Sequence, residues 1–210
     1  MGCVRTQRWA LALKRMVDVV GATFGGLLLG PVVAAAAVAV RFRIGRPVIF
    51  KQVRPGRNGA RFTLFKVRTM TDERGAAGEL LSDEERLTPL GSGLRRWSID
   101  ELPELWNVLR GDMSLVGPRP LLAEYLDLYT DEQMRRHKMR PGLTGLAQVR
   151  GRNDQSWEER LALDVWYVDH WNLWLDAAII ARTVRKVLAG EGVSAQGQAT
   201  MGRFEGSRNG

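Results

Sequence analysis

Two adjacent carboxylates, Asp100 and Glu101, stand just before a short apolar-periodic run and a rigid GPRP turn carrying Arg119, within SIDELPELWNVLRGDMSLVGPRP at 98–120. Acids at a helix N-terminus feel its positive end, which favours the ionised form and leaves oxygen donors for a hard cation. Arg95, Arg96, Arg110 and Arg119 lie close in sequence, a supply of guanidinium groups suited to an anionic substrate such as a phosphate. The structural alternative is plain. Ser98 followed three residues later by Glu101 reads as a capping box, which needs Glu101 for the helix alone.

The elements that would hold these groups follow from periodicity. Leu102, Leu105, Trp106 and Leu109 recur at helical spacing, Pro103 suits a first turn, and Gly111 supplies the stop. Upstream, Val48–Val53 and Arg61–Val67 are β-rich runs around the turn cluster RPGRNG, so a hairpin is expected, carrying Lys51, Arg54, Arg57, Arg61, Lys66 and Arg68. Residues 71–88 read as a polar surface excursion with a short helix. Downstream, 123–139 reads as largely helical, and the glycine-punctuated RPGLTGLAQVRGRN at 140–153 suits phosphate contacts through backbone N–H and guanidinium groups. Two final helices are expected over 156–170, opened by the cap Ser156/Glu159, and 172–189, closed by Gly190. Four of the seven tryptophans fall there, which fits either a membrane boundary or core packing. Residues 191–210 lack periodicity and read as a flexible tail. His137 and His170 have no ligand spacing and read as packing or surface residues.

Charge is unevenly spread. The 210 residues carry +8, yet residues 1–68 hold thirteen Lys/Arg against the single acid Asp18, a balance of +12 that leaves −4 for the rest. A basic N-terminal third points to an anionic surface or ligand. Within it, Val19–Val40 is free of charge for 22 residues, long enough to cross a bilayer. Basic residues flank both ends: Arg5, Arg8, Lys14 and Arg15 before, Arg41, Arg43 and Arg46 after. Positive charge resists translocation at either end, and Gly30-Pro31 sits mid-run, where proline disrupts a helix. A re-entrant helix-break-helix is therefore expected, ahead of a straight span or a buried helix. Cys3 is the only cysteine, so no internal disulfide or cysteine metal site forms. MGCVRT matches a myristoylation pattern, but a membrane segment makes that anchor redundant.

Several stretches together carry a resemblance: KRMVDVV at 14–20, the interrupted apolar run, GRPVIFKQVRPGRNGARFTLFKVRTM at 45–70, DELPELWNVLRGDMSLVGPRPLL at 100–122 and RPGLTGLAQVRGRN at 140–153. In this order the chain resembles the bacterial sugar transferase family, and more narrowly its small monotopic polyprenyl-phosphate phosphoglycosyl transferases. The family break is often Ser-Pro where this chain has Gly30-Pro31. The resemblance implies transfer of a phosphosugar from a UDP-sugar to undecaprenyl phosphate, with UMP released and Mg²⁺ required, on the cytoplasmic face of the inner membrane. It implies Asp100 as nucleophile through a covalent phosphosugar-aspartate, and Glu101 as helper. Asp100 and Glu101 are also the expected metal ligands, with the division of roles open. Phosphate binding falls to Lys66, Arg95, Arg119 and Arg152. The expected fold is mainly α with a small β-hairpin (α+β): a membrane segment over 1–44, a catalytic domain over 45–190 and a tail over 191–210, with amphipathic interfacial helices. Membrane lipids are expected partners and a homodimer is left open. A basic nucleic-acid-binding protein is the rival class, but no helix-turn-helix, RNP or zinc pattern appears, so nucleic acid is not an expected partner.

Overall fold

A computed structural model describes residues 2–151, 155–190 and 202–206, with side chains from residue 9 onward. Helix α1 runs over Gly2–Arg43 and contains Pro31 without leaving helical structure. The break expected at Gly30-Pro31 is thus not seen as an interruption. Proline removes one N–H from the ladder, but neighbouring turns can carry a helix past it, with a bend as the usual outcome. Helix α1 is long and apolar enough to cross a membrane over Trp9–Arg43, and only 11% of its most apolar stretch is buried. Phe24, Leu27 and Phe42 are 67%, 77% and 81% exposed. Large apolar side chains turned outward on this scale mark a surface that water does not favour.

The base of α1 is fixed to the body through buried polar groups. Lys14 Nζ donates to Asp176 Oδ2 at 2.6 Å and to the Val116 carbonyl at 3.0 Å. Asp18 Oδ1 accepts from Ser114 Oγ and from the Leu115 N–H, both at 2.9 Å. Buried charges that are paired in this way hold register, because removing either partner strands the other.

Strands β1 (Ile49–Pro55) and β2 (Arg61–Val67) pair antiparallel with Phe50 opposite Lys66, forming the expected hairpin. The excursion at 71–88 contains one short helix, α2 (Asp83–Arg86), capped by Ser82 and Glu85. Helix α3 (Pro89–Arg96) follows, with Thr88 as its N-cap. Helix α4 (Glu104–Arg110) ends at Gly111, whose φ of 91° is the left-handed conformation glycine adopts freely. Fully buried Asn107 on α4 accepts from the Phe65 N–H at 3.2 Å and donates to the Thr63 carbonyl at 2.7 Å, clamping α4 to β2. Ala22, Leu64, Leu105, Val108 and Met113 close the core between α1, the hairpin and α4.

Strand β3 (Ser114–Val116) pairs parallel with β4 (Gly142–Thr144). The stretch between them is broken into 3-10 turns at Ala123–Leu128 and Arg135–Lys138 around the short helix α5 (Asp131–Met134), rather than one helix. A second capping box, Thr130 with Gln133, restarts the chain in its middle. Helices α6 (Leu146–Arg150), α7 (Trp157–His170) and α8 (Leu173–Leu188) complete the body. The Ser156/Glu159 box opens α7, and Gly190 follows α8 with a φ of 65°. Trp171, between α7 and α8, donates to buried Asp176, whereas Trp174 on α8 is 86% exposed. Among the described residues the chain is mostly helical with two small sheets.

The expected loose tail lies partly outside the described residues, but Phe204 does not behave as one. It is buried among Tyr125, Tyr129 and Trp157, with ring centroids 5.5–5.6 Å away. Aromatic burial of this kind outweighs the entropy of one ordered residue.

Candidate active site

The DE pair does not cap a helix. Ser98 sits in the left-handed region at φ 54°, its side chain makes no cap bond, and Ile99–Glu101 forms a 3-10 turn before α4 begins. The capping-box reading fails because Glu101 has stronger partners than a backbone N–H. Its Oε1 accepts from Lys66 Nζ at 2.7 Å and from an Arg119 guanidinium nitrogen at 2.6 Å. Charge-assisted bonds of this length outcompete a neutral cap. A non-glycine residue held at positive φ beside two buried acids is a strained feature of the kind that clusters at working sites.

Four separate stretches converge here. Lys66 comes from β2, Asp100 and Glu101 from the 3-10 turn, Glu104 from the first turn of α4, and Arg119 from the GPRP turn. Gly117 and Gly142 let that turn lie close against the 140–142 backbone. A Cβ on Gly117 would be 2.4 Å from the Arg140 carbonyl, and one on Gly142 would be 2.1 Å from the Gly117 nitrogen. Fully buried Arg136 then fixes Arg119 from behind, donating to its carbonyl at 2.6 Å while paired with Asp164 Oδ2 at 2.6 Å.

Asp100 is 7% exposed, and among the described residues its carboxylate takes part in no hydrogen bond or ion pair. Burial pushes its pKa up to about 6, and the Glu101 charge adds to the rise, against Lys66, Arg95 and Arg119, which pull it down. Burial works on Glu101 in the same direction, yet Arg119 and Lys66 together hold it far below the ordinary carboxylate range. The two neighbours are therefore unlike: one a permanently ionised anchor, the other a carboxyl with open oxygens. Burial also raises Glu104 to about 7, although Lys66 lies 3.2 Å away, because Glu101 already claims that ammonium. Arg95 bonds Thr69 Oγ1 at 3.0 Å, and burial lowers it, partly offset by the Asp100 charge.

The expected Lys66, Arg95, Asp100, Glu101 and Arg119 thus gather at one place. Arg152 lies outside the described residues. Gly30 and Pro31 are within α1, and a Cβ on Gly30 would meet open space. Sequence reading passed over Glu104, although its i+3 spacing from Glu101 and i+4 spacing from Asp100 would bring the three acids to one side of a helix. It counted Arg54 only among the hairpin's cations, yet among the described residues its Nε is buried without a partner, and burial and then Arg119 lower its pKa to about 10. Nothing in the local sequence marks either Arg136 or Asp164, since their pairing spans 28 residues. His137 is a buried packing residue whose Nδ1 lies 3.2 Å from the Gly56 carbonyl, and His170 stacks on Trp166.

An open carboxylate set among cations suits phosphoryl chemistry. Comparisons with known proteins agree. The chain is 54% identical to the uncharacterized sugar transferase EpsL of Bacillus subtilis, covering 94% of this chain and 98% of the relative. It is 42% identical to the UDP-glucose:undecaprenyl-phosphate glucose-1-phosphate transferase of Caulobacter vibrioides, over 83% of this chain and 69% of that one. It is 38% identical to the undecaprenyl-phosphate galactose phosphotransferase of Salmonella typhimurium, over 86% of this chain and 41% of that one. The bacterial sugar transferase family model matches residues 9–190, nearly the whole described body, and the chain belongs to that family.

Proposed function

We propose that the chain transfers a sugar phosphate from a UDP-sugar to undecaprenyl phosphate, giving a polyprenyl-diphosphate sugar and UMP at the start of exopolysaccharide assembly. The relatives from Caulobacter and Salmonella, named for this acceptor, support the substrate pair. One observation carries the mechanism: Asp100 is buried among Lys66, Arg95 and Arg119 with its carboxylate oxygens uncommitted.

In the first step an Asp100 oxygen attacks the β-phosphorus, and the bond from that phosphorus to the bridging oxygen breaks. UMP leaves with the bond's electron pair, and a phosphosugar-aspartate remains. In the second step an oxygen of the polyprenyl phosphate attacks the same phosphorus and displaces the Asp100 carboxylate. A carboxylate suits both steps, because its acyl phosphate stays reactive. Glu101 holds Lys66 and Arg119 facing the transferring phosphoryl group, whose growing charge they stabilise without reorganising.

Among the described residues no three His, Cys, Asp or Glu side chains gather into a metal cage. Mg²⁺ commonly takes one or two carboxylates and completes its shell with substrate phosphates, and Asp100 with Glu101 fits that donor set. Bound there, it would neutralise diphosphate charge and ease departure of UMP.

In this reading helix α1 lies in the inner membrane and the catalytic body faces the cytoplasm. Basic residues at both of its ends favour a segment that bends at Pro31 and returns to the side it came from. Single cysteines at positions 10 and 45 should both label from the cytoplasmic side, and labelling from opposite sides would mean a straight span. The chemistry is tested by Asp100→Asn with UDP-sugar and undecaprenyl phosphate. UMP release should fall by at least ~10³-fold with membrane association intact. Full activity in that variant overturns the covalent route.

A further inference from the structure

Helix α4 has its first turn in the candidate active site, and a cavity of about 440 Å³ lies by its other end. Its lining is strongly cationic: Arg15, Arg57, Lys138 and Arg140 face it, with Lys14 beside them. Some of this charge has structural work. Arg15 donates to the Val108 and Leu109 carbonyls at 2.6 and 2.9 Å, and Arg140 Nε donates to the Gly111 carbonyl at 2.8 Å, so both satisfy the end of α4. Lys14 is spent on Asp176.

Arg57 and Lys138 are different. Both are exposed, and among the described residues neither side chain makes a hydrogen bond or an ion pair. The cavity's two acids do not serve them. Asp18 is engaged by Ser114 and the Leu115 N–H, and Asp169 pairs with Arg135. Arg140 feels the surplus: burial lowers its pKa, and Arg15 and Arg57 lower it further, with Asp18 opposing. An anion in the cavity would relieve this repulsion.

The level of the cavity on α1 narrows the anion's nature. Asp18 is the last charge before the apolar run of Val19–Val40, so Lys14, Arg15 and Asp18 mark the turn where the helix passes from polar to apolar surroundings. Leu11 and Trp171 line the same cavity, and Met16, Val17 and Val20 stand exposed nearby on α1 at 57%, 45% and 63%. A ligand with a phosphate head and an apolar body fits both sets of neighbours. Basic pockets at this depth recognise anionic headgroups.

We propose that this cavity binds the phosphate headgroup of an anionic membrane phospholipid, at a site separate from the candidate active site. The inference rests on the membrane placement of α1, and its test reads binding rather than turnover, so its failure is distinct from failure of the catalytic reading. Native mass spectrometry of the full-length protein in detergent, with phosphatidylglycerol or phosphatidylcholine added, measures the site directly. Phosphatidylglycerol adducts should dominate. In Arg57→Gln/Lys138→Gln they should weaken about tenfold or more, as two lost headgroup cations imply. Arg57→Lys/Lys138→Arg, which keeps the charge, should restore them, whereas a merely disrupted fold would not be rescued.

Equal retention of the two lipids by the unaltered protein overturns the proposal, as does undiminished phosphatidylglycerol binding in the Gln variant. Inorganic phosphate binding as tightly as the lipid would make the site one for a soluble anion and overturns it. Displacement of phosphatidylglycerol by an equimolar amount of undecaprenyl phosphate would assign the cavity to the acceptor and overturns it too.

Discussion

Glu101 and Arg119 meet at 2.6 Å, and this bond ties the acidic turn before α4 to the GPRP turn 18 residues later. It fixes a guanidinium within the field of Asp100 and holds Glu101 ionised, so one contact bears on the charge and the place of three side chains of the candidate site.

Removing that contact should damage rate more than substrate binding. Arg119→Ala is expected to lower kcat for UMP release by about 10²–10³, the usual loss when one preorganised donor to a developing charge is deleted. Arg119→Lys should recover little, because an ammonium cannot present the planar fork. Steady-state kinetics with a UDP-sugar checks both variants. An unchanged kcat in either would remove Arg119 from the reaction.

Glu104 should show itself as a pH dependence of stability. Its pKa is raised from 4.5 to about 7 in the folded protein, so the folded state holds a proton that the unfolded state has released between those values. The Glu104 contribution therefore falls as pH rises from about 4.5 to about 7, and a neutral isostere escapes the loss. Glu104→Gln should match the unaltered protein near pH 4.5 and melt about 2–4 °C higher at pH 8, corresponding to ~1 kcal/mol. Melting curves in chelator, across this range, give the comparison directly. Parallel curves would mean that Glu104 does not titrate there.

The pair behind Arg119 carries structure, and its loss should be costly. Asp164→Asn leaves the Arg136 guanidinium, 1% exposed in its side chain, without a countercharge. Breaking a buried pair by removing one partner typically costs about 3–5 kcal/mol. Calorimetry should show a melting temperature lower by roughly 10 °C. Because Arg136 also donates to the Arg119 carbonyl, kcat should fall in the surviving folded fraction.

Phe204 tests whether the end of the described chain is held. Phe204→Ala removes the ring that three aromatic side chains surround, a change worth about 3 kcal/mol when the cavity does not collapse. The expected result is local: protease cleavage after residue 190 should accelerate well before the body melts. Cleavage at the unaltered rate would show that the ring contributes nothing to retention.

Much of this arrangement could be read from the sequence where the signal is local. The hairpin, the Gly111 stop, the Ser156/Glu159 cap and the acidic turn all depend on residues within a few positions of one another. The misread capping box shows the limit of such local patterns. Ser98 and Glu101 have the right spacing, but Lys66 and Arg119 arrive from 35 and 18 residues away and take the carboxylate first. Glu104 was overlooked and Arg54 left among the hairpin's cations for the same reason, as their altered acidity comes from burial that only the assembled fold creates. The segment 123–139 misled in another way: its helical composition hid the internal cap at Thr130 that divides it.

The close approach of Gly117 and Gly142 bears on how substitution data for this chain should be interpreted. Any side chain at either position would drive a carbon to within 2.1–2.4 Å of backbone that has nowhere to move. A library covering every position should find both glycines as intolerant as Asp100, although neither carries a group that could react. Intolerance alone would then misassign them as catalytic. Purified variants would separate the cases: an Asp100 variant folds and is silent, whereas a Gly117 or Gly142 variant fails to accumulate.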